Sequence, residues 1–260
     1  MLPHLRDVII EVVDVEVATN ANVDAIGVSL GLRADRYLDR RMQNLASAIS
    51  SSGALARAAG LRNPQAMRVE RGIGPSGRPA HGLAGVFSTV YHLEPRSLDS
   101  DLTLAEQLGI PRSACDDASR LLRDLTGTTS STLRVIVYSG PLSDNMQLEF
   151  GALAPPGSAL ADRAGVAGLE GEDLTMLRVT REIGMAIAWV TVDQKGVLPG
   201  VRVEYAQPGL DDALAVVGRY GDMSRVQSFL DALEPRAMGS LILTLGRTSA
   251  LGPVWMSAVP

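Results

Sequence analysis

The chain has 260 residues, 46% of them hydrophobic, enough to bury a substantial core in one large or two small domains. Its net charge of −5, from 29 acids against 24 bases, provides no basic field of the kind that draws in a nucleic acid. A single cysteine, Cys115, excludes an internal disulfide framework, and three histidines without a close pair or a CxxC argue against zinc.

Asp7, Glu11, Asp14 and Glu16 interrupt the first twenty residues, so no signal segment is expected there. No stretch reaches the ~18 apolar residues of a membrane span. The sequence therefore predicts a soluble cytoplasmic protein. Its one lysine, Lys195, falls in a predicted turn, DQKG, where nothing desolvates it for Schiff-base chemistry. His92, at a strand end, reads as structural or exposed.

In chain order, the first predicted hairpin runs from about Val8 to Val17 and back through Ala25 to Leu30, with TNAN between. Leu38, Met42, Leu45 and Ile49 then recur at helical spacing, and a shorter helix over 54–59 stops at Gly60. The second hairpin pairs MRVER, 67–71, with LAGVFSTVYHL, 83–93. Between them GIGPSG, 72–77, has dinucleotide-binding spacing, but RPAHG follows where that fingerprint needs a helix, so the glycines read as a wide turn and no nucleotide is expected.

The next helical pattern places Leu104 and Leu108 before a stop at Gly109 and Pro111. It resumes after Ser113, a predicted N-cap, with Cys115, Ala118, Leu122 and Leu125, and ends at Gly127. Cys115 lies on that apolar stripe and reads as a small core residue rather than a nucleophile. The third hairpin is RVIVYSGPLSDNMQLEF, 134–150. Helices are predicted over 158–166 and 172–182. The fourth hairpin joins MAIAWVTVD, 185–193, to VRVEYA, 201–206, across QKGVLPG. Leu210, Leu214 and Val217 mark one further helix, and Val226, Phe229, Leu230 and Leu233 another. The fifth hairpin joins SLILTLG, 240–246, to PVWMSAV, 253–259.

The hairpin turns centre near residues 20, 78, 142, 196 and 250, an internal repeat with helical patterns in the gaps. No composition shift divides the chain, so residues 1–260 read as a single α+β domain. The expected architecture is a closed antiparallel barrel of about ten strands with helix pairs outside, because closure removes the sheet edges. An open sheet with helices on one side is the alternative, and it suits a non-catalytic binding or scaffold protein.

Strand alternation sorts the side chains. In the third hairpin Arg134, Ile136 and Tyr138 share a face with Gln147, Glu149 and Gly151, opposite Val135, Val137, Leu148 and Phe150. The same polar face carries Arg68 and Glu70 in the second hairpin and Arg202 and Glu204 in the fourth. If helices cover the apolar faces, these charges line the lumen, and a ten-stranded barrel is wide enough to hold solvent there. Glu70, Glu149 and Glu204 could do acid–base work or pair with the arginines.

The segment LAEQLGIPRSACDDASRLLRDLTGTTSSTLRVIVYSGPLSDNMQLEF, 104–150, resembles the first helix pair and hairpin of the ABBA, or prenyltransferase-barrel, aromatic prenyltransferases. VTVDQKGVLPGVRVEYAQP, 190–208, resembles that family's second hairpin, and ALARAAGLRNPQAMRVERGIGP, 54–75, a later repeat, an order that implies a permuted or shortened relative. The resemblance implies a barrel that binds an allylic diphosphate and an aromatic acceptor. Glu149 matches an acidic position that helps hold magnesium in metal-dependent members, and Arg202 matches a basic position of the diphosphate clamp. Arg68 and Arg134 join that clamp from strand parity alone, since guanidinium groups hold phosphate oxygens bidentately. Tyr138, Gln147, Trp189 and Trp255 are the candidate substrate contacts, the aromatics flanking a cation through their π faces.

The sequence thus predicts transfer of a prenyl group to an aromatic small molecule. A cyclase or isomerase using the same barrel without diphosphate is the alternative, and a small-molecule-binding or scaffold protein the second.

Overall fold

The structure is a computed structural model describing residues 10–18, 25–32, 66–72, 86–93, 98–128, 132–139, 145–169, 172–180, 183–220, 222–246 and 254–259. For the strands before residue 94 the description is of the backbone. The helices expected over 38–49 and 54–59, the wide turn at 73–77, His4 and His81 lie outside the described residues.

Ten strands form five antiparallel hairpins. They are β1 (Ile10–Ala18) with β2 (Ala25–Leu32), β3 (Ala66–Gly72) with β4 (Val86–Leu93), β5 (Thr132–Ser139) with β6 (Asn145–Leu153), β7 (Ala186–Asp193) with β8 (Gly196–Ala206), and β9 (Ala237–Leu245) with β10 (Val254–Val259). Each hairpin also pairs with the next. β1 closes the ring against β10, with Val15 opposite Ala258 and Val17 opposite Met256. Register shifts fall between Val12 and Asp14, between Met256 and Ala258, and between Val190 and Val192. Such irregularities bend strands and help a sheet to curl.

Six described helices fill three of the gaps: α1 (Leu98–Gln107), α2 (Arg112–Thr126), α3 (Gly157–Val166), α4 (Glu172–Val179), α5 (Leu210–Tyr220) and α6 (Met223–Leu233). α2 lies across β6, β7 and β8, burying Ala114, Cys115, Ala118, Leu122 and Leu125 at helical spacing. It ends where the sequence places its stop, at Gly127, whose φ of 77° is left-handed and whose N–H donates to the Arg123 carbonyl at 2.7 Å. Its start differs from the expected cap at Ser113. Pro111 is the cap, with no side-chain bond, and its carbonyl accepts from Ala114 and Cys115. Proline's fixed φ suits entry into a helix, so Ser113 lies inside the first turn. α6 has a side-chain cap instead, Asp222, whose Oδ1 accepts from the N–H groups of Ser224 and Arg225.

The continuous apolar core lies between sheet and helices. Leu133, Val135, Leu148, Phe150, Ala188, Val190, Val201, Val203, Leu241 and Leu243 supply it from the strands, while Leu108, Leu122, Leu125, Met176 and Val217 supply it from the helices. Ile136, Trp189 and Ile242 are equally buried but stand apart from that cluster, because they share strand parity with the polar residues. Two details differ from the sequence reading. Leu210 is exposed at the first turn of α5, whose buried side is Ala213, Val216 and Val217. β8 begins at Gly196, so Gln194 and Lys195 alone form the turn. Pro199 and Gly200, which read as loop, lie within the strand where the register shifts, a position that tolerates both.

Candidate functional site

Backbone register aligns the candidates across β5 to β8. Arg134 faces Glu149, Glu149 faces Thr191, Gly151 faces Trp189, Trp189 faces Arg202, and Ile187 faces Glu204. Directly opposite residues on neighbouring strands point the same way, so all these side chains lie on the lumenal face.

Four charges meet there in alternating sign. Arg202 Nη1 is 3.0 Å from Glu149 Oε1, Arg134 Nη1 is 3.9 Å from Glu149 Oε2, and Arg134 Nη1 donates to Glu204 Oε2 at 2.9 Å. Thr191 Oγ1 adds a long bond, 3.3 Å, to Glu149 Oε1. Glu149 is buried to 1% exposure, whereas Arg134, Glu204 and Arg202 keep 14%, 19% and 25% of their side chains accessible. Burial by itself would push the Glu204 carboxyl up. The charge and hydrogen bond of Arg134 outweigh it, with help from Arg202, and hold the group below the usual glutamate value. The Trp189 indole N–H also favours the Glu204 carboxylate, although it does not meet the geometry of a full hydrogen bond.

Trp189 sits under this belt. The Arg134 guanidinium carbon is 3.6 Å from its ring centroid, a stacked cation–π contact. Among the described residues, Arg134 Nε, Trp189 Nε1 and Glu149 Oε2 are buried without a hydrogen bond. Two donors and one acceptor therefore remain in one small region, and buried polar groups seldom stay unpaired without a water or a ligand.

The structure brings together Arg134, Glu149, Trp189, Arg202 and Glu204. Both glutamates are paired to arginine, Glu149 with Arg202 and Glu204 with Arg134. Trp255 faces Ile242 in register and is half-buried, and Gln147 is half-buried opposite Ile136. Arg68 aligns with Ser88, and Ser88 with Tyr138, while Glu70 aligns with Val86; the side chains of Arg68, Glu70 and Tyr138 lie outside the described residues. The sequence reading missed the role of Gly151 opposite Trp189. It also missed the buried contact on the helix side between Tyr205 Oη and Thr180 Oγ1, 2.6 Å apart. Burial pushes the Tyr205 hydroxyl up. Tyr205 sits one residue from Glu204, so strand parity alone assigns it outward.

The magnesium role implied for Glu149 does not fit the described residues. One carboxylate oxygen accepts from Arg202 and Thr191 and the other looks at Arg134, so a cation would meet two guanidinium groups. No group of three or more His, Cys, Asp and Glu that would hold a metal occurs among the described residues. Magnesium needs several oxygen ligands at short range. Outside the barrel, a groove of about 610 Å³ lies between α2, the end of α3 and the start of β8, lined by Asp117, Arg120, Val166 and Leu198 among others. Its Asp117–Arg120 pair is exposed, so the charges there are screened by water and the groove is not part of the belt.

No protein-family model matches the chain, and no curated protein matches it in sequence. Solved structures do. A 6-dimethylallyltryptophan synthase from Micromonospora olivasterospora, in complex with DMASPP and Trp, is similar with a TM-score of 0.63 and 16% identity over 95% of this chain and 81% of that one. The fold is that of the aromatic prenyltransferase barrels. A 5-dimethylallyltryptophan synthase from Streptomyces coelicolor gives 0.62 and 14% over 95% and 80%. The prenyltransferase PriB, in a ternary complex with L-tryptophan and dimethylallyl thiolodiphosphate, gives 0.58 and 16% over 95% and 79%. At such identities the likeness is one of prenyltransferase-barrel fold, and it bears out the resemblance read from residues 104–150 and 190–208. No described helix is long and apolar enough to cross a membrane.

Proposed function

We propose that the chain transfers a prenyl group from an allylic diphosphate to an aromatic small molecule inside the barrel. The observation that carries this reading is the belt of Arg134, Arg202, Glu149 and Glu204 around Trp189, on the lumenal face of a fold shared with dimethylallyltryptophan synthases.

In this reaction the allylic C–O bond breaks and the diphosphate leaves with its electron pair. The aromatic ring then attacks the allylic cation, and the new ring carbon loses its proton. Arg134, through its unpartnered Nε–H, and Arg202 would meet diphosphate oxygens and stabilise the charge that builds on them, on the order of 3 kcal/mol for each well-placed donor. Trp189 would lend its π face to the cation. Glu149 Oε2, which makes no hydrogen bond in the chain, would accept from the acceptor's polar hydrogen and receive the released proton.

A second reading rests on charge balance. Two arginines face two glutamates in the described half of the lumen, so a diphosphate must compete with carboxylates already in place. A cyclase or isomerase of a neutral small molecule needs no such competition. Calorimetric titration with dimethylallyl diphosphate, with and without magnesium, separates the two. Saturable binding that weakens on Arg134→Gln supports prenyl transfer. Absence of saturable binding in both conditions removes it.

A further inference from the structure

Gly151 has a consequence that its backbone conformation does not explain, since it lies in the middle of β6 with ordinary strand pairing. A Cβ built there would stand 2.5 Å and 2.6 Å from Cζ3 and Cε3 of Trp189 and 2.7 Å from Cγ2 of Thr132. The indole therefore rests directly on the β6 backbone. The Arg134 guanidinium carbon lies over the same ring, 3.6 Å from its centroid, and Arg134 reaches Glu204 from that position.

We propose that Gly151 is a positioning residue for Arg134: the missing Cβ sets the height of Trp189, and the ring sets the place from which the guanidinium meets the diphosphate. This rests on the donor reading given above. Restoring ordinary contact would move the ring by about 1 Å, a displacement that can cost on the order of a hundredfold when it reaches a group that orients a reactant. Trp189 is almost fully buried and in contact with Arg134, so the shift passes to Arg134 and loosens its bond to Glu204.

The test uses the full chain with dimethylallyl diphosphate. Gly151→Ala is expected to raise Kd at least tenfold. In a Trp189→Leu background the same change is expected to raise Kd less than threefold, because leucine ends at Cδ and has no atoms where Cε3 and Cζ3 collide. A purely structural role for the glycine gives equal penalties in both backgrounds and overturns the proposal. A second readout needs no ligand. With Trp255→Phe leaving Trp189 as the one indole, Gly151→Ala shifts its emission to longer wavelength as the ring lifts toward the lumen, and unchanged emission overturns the proposal. If Gly151→Ala alone does not fold, folding of the double variant with Trp189→Leu supports the stack, and its failure to fold contradicts it. Lack of diphosphate binding by the unaltered chain removes the donor reading, and the emission comparison then decides whether the stack exists.

Discussion

Arg202 on β8 reaches past β7 to bring its Nη1 within 3.0 Å of Glu149 Oε1 on β6. Glu149 is the most deeply buried of the four charges in the belt, and it lies between both guanidinium groups. Removing one partner of a buried ion pair costs more than the pair contributes, because the other charge stays behind without compensation. Glu149→Gln should therefore lower stability by about 2 kcal/mol, less than for a fully enclosed pair because Arg202 keeps some solvent contact. Thermal unfolding at neutral pH reads the change, and an unaltered midpoint counts against the belt.

Glu204 gives a pH signature. Its carboxyl titrates below the ordinary glutamate value in the folded chain, since Arg134 and Arg202 outweigh the effect of burial. A group with a lowered folded value contributes stability that is complete above its unfolded value. That contribution is lost as pH falls through the folded value. Stability should fall on acidification below about pH 4.5, and Glu204→Gln should shrink the pH-dependent part of that fall. Denaturant midpoints collected between neutral and acid pH check the sign. A steeper acid limb in the variant would contradict it.

Cys115 should be inert in the folded protein. It is fully buried in α2, and burial, with the nearby Asp116 and Glu106, pushes its thiol up to about 11. Mass spectrometry after iodoacetamide at pH 8 should show no modification without denaturant and complete modification with it.

Gly127 closes α2 in a left-handed conformation, and a Cβ there would collide with the Arg163 guanidinium. Gly127→Ala should cost about 1–2 kcal/mol through backbone strain and the displaced arginine. Urea unfolding measures it.

Much of the arrangement was legible in local sequence. Alternation along 133–138 and 146–150 identifies the faces, because side chains in a strand point to opposite sides whatever the tertiary context. The same reasoning placed Arg134, Glu149, Arg202 and Glu204 together. Which charges touch was not legible. Arg134 bonds Glu204 although Glu149 is its direct register partner, because a long side chain spans the offset between strands. Gly151 gave no local signal either, as its need arises from a ring on the neighbouring strand. β8 was read too short because Pro199 and Gly200 look like a loop, and only the register shift opposite them lets the strand continue. The cap of α2 was misplaced for a related reason. Ser113 has the right chemistry, but Pro111 already fixes the entry of the chain.

The most direct measurement is a crystal structure of the full chain soaked with dimethylallyl thiolodiphosphate. The expected result is density inside the barrel, with diphosphate oxygens in hydrogen-bond range of Arg134 and Arg202 and the prenyl group against Trp189. Density confined to the outer groove beside Asp117 and Arg120, or a lumen unchanged at saturating ligand, would contradict a diphosphate site at the Arg134–Trp189 belt.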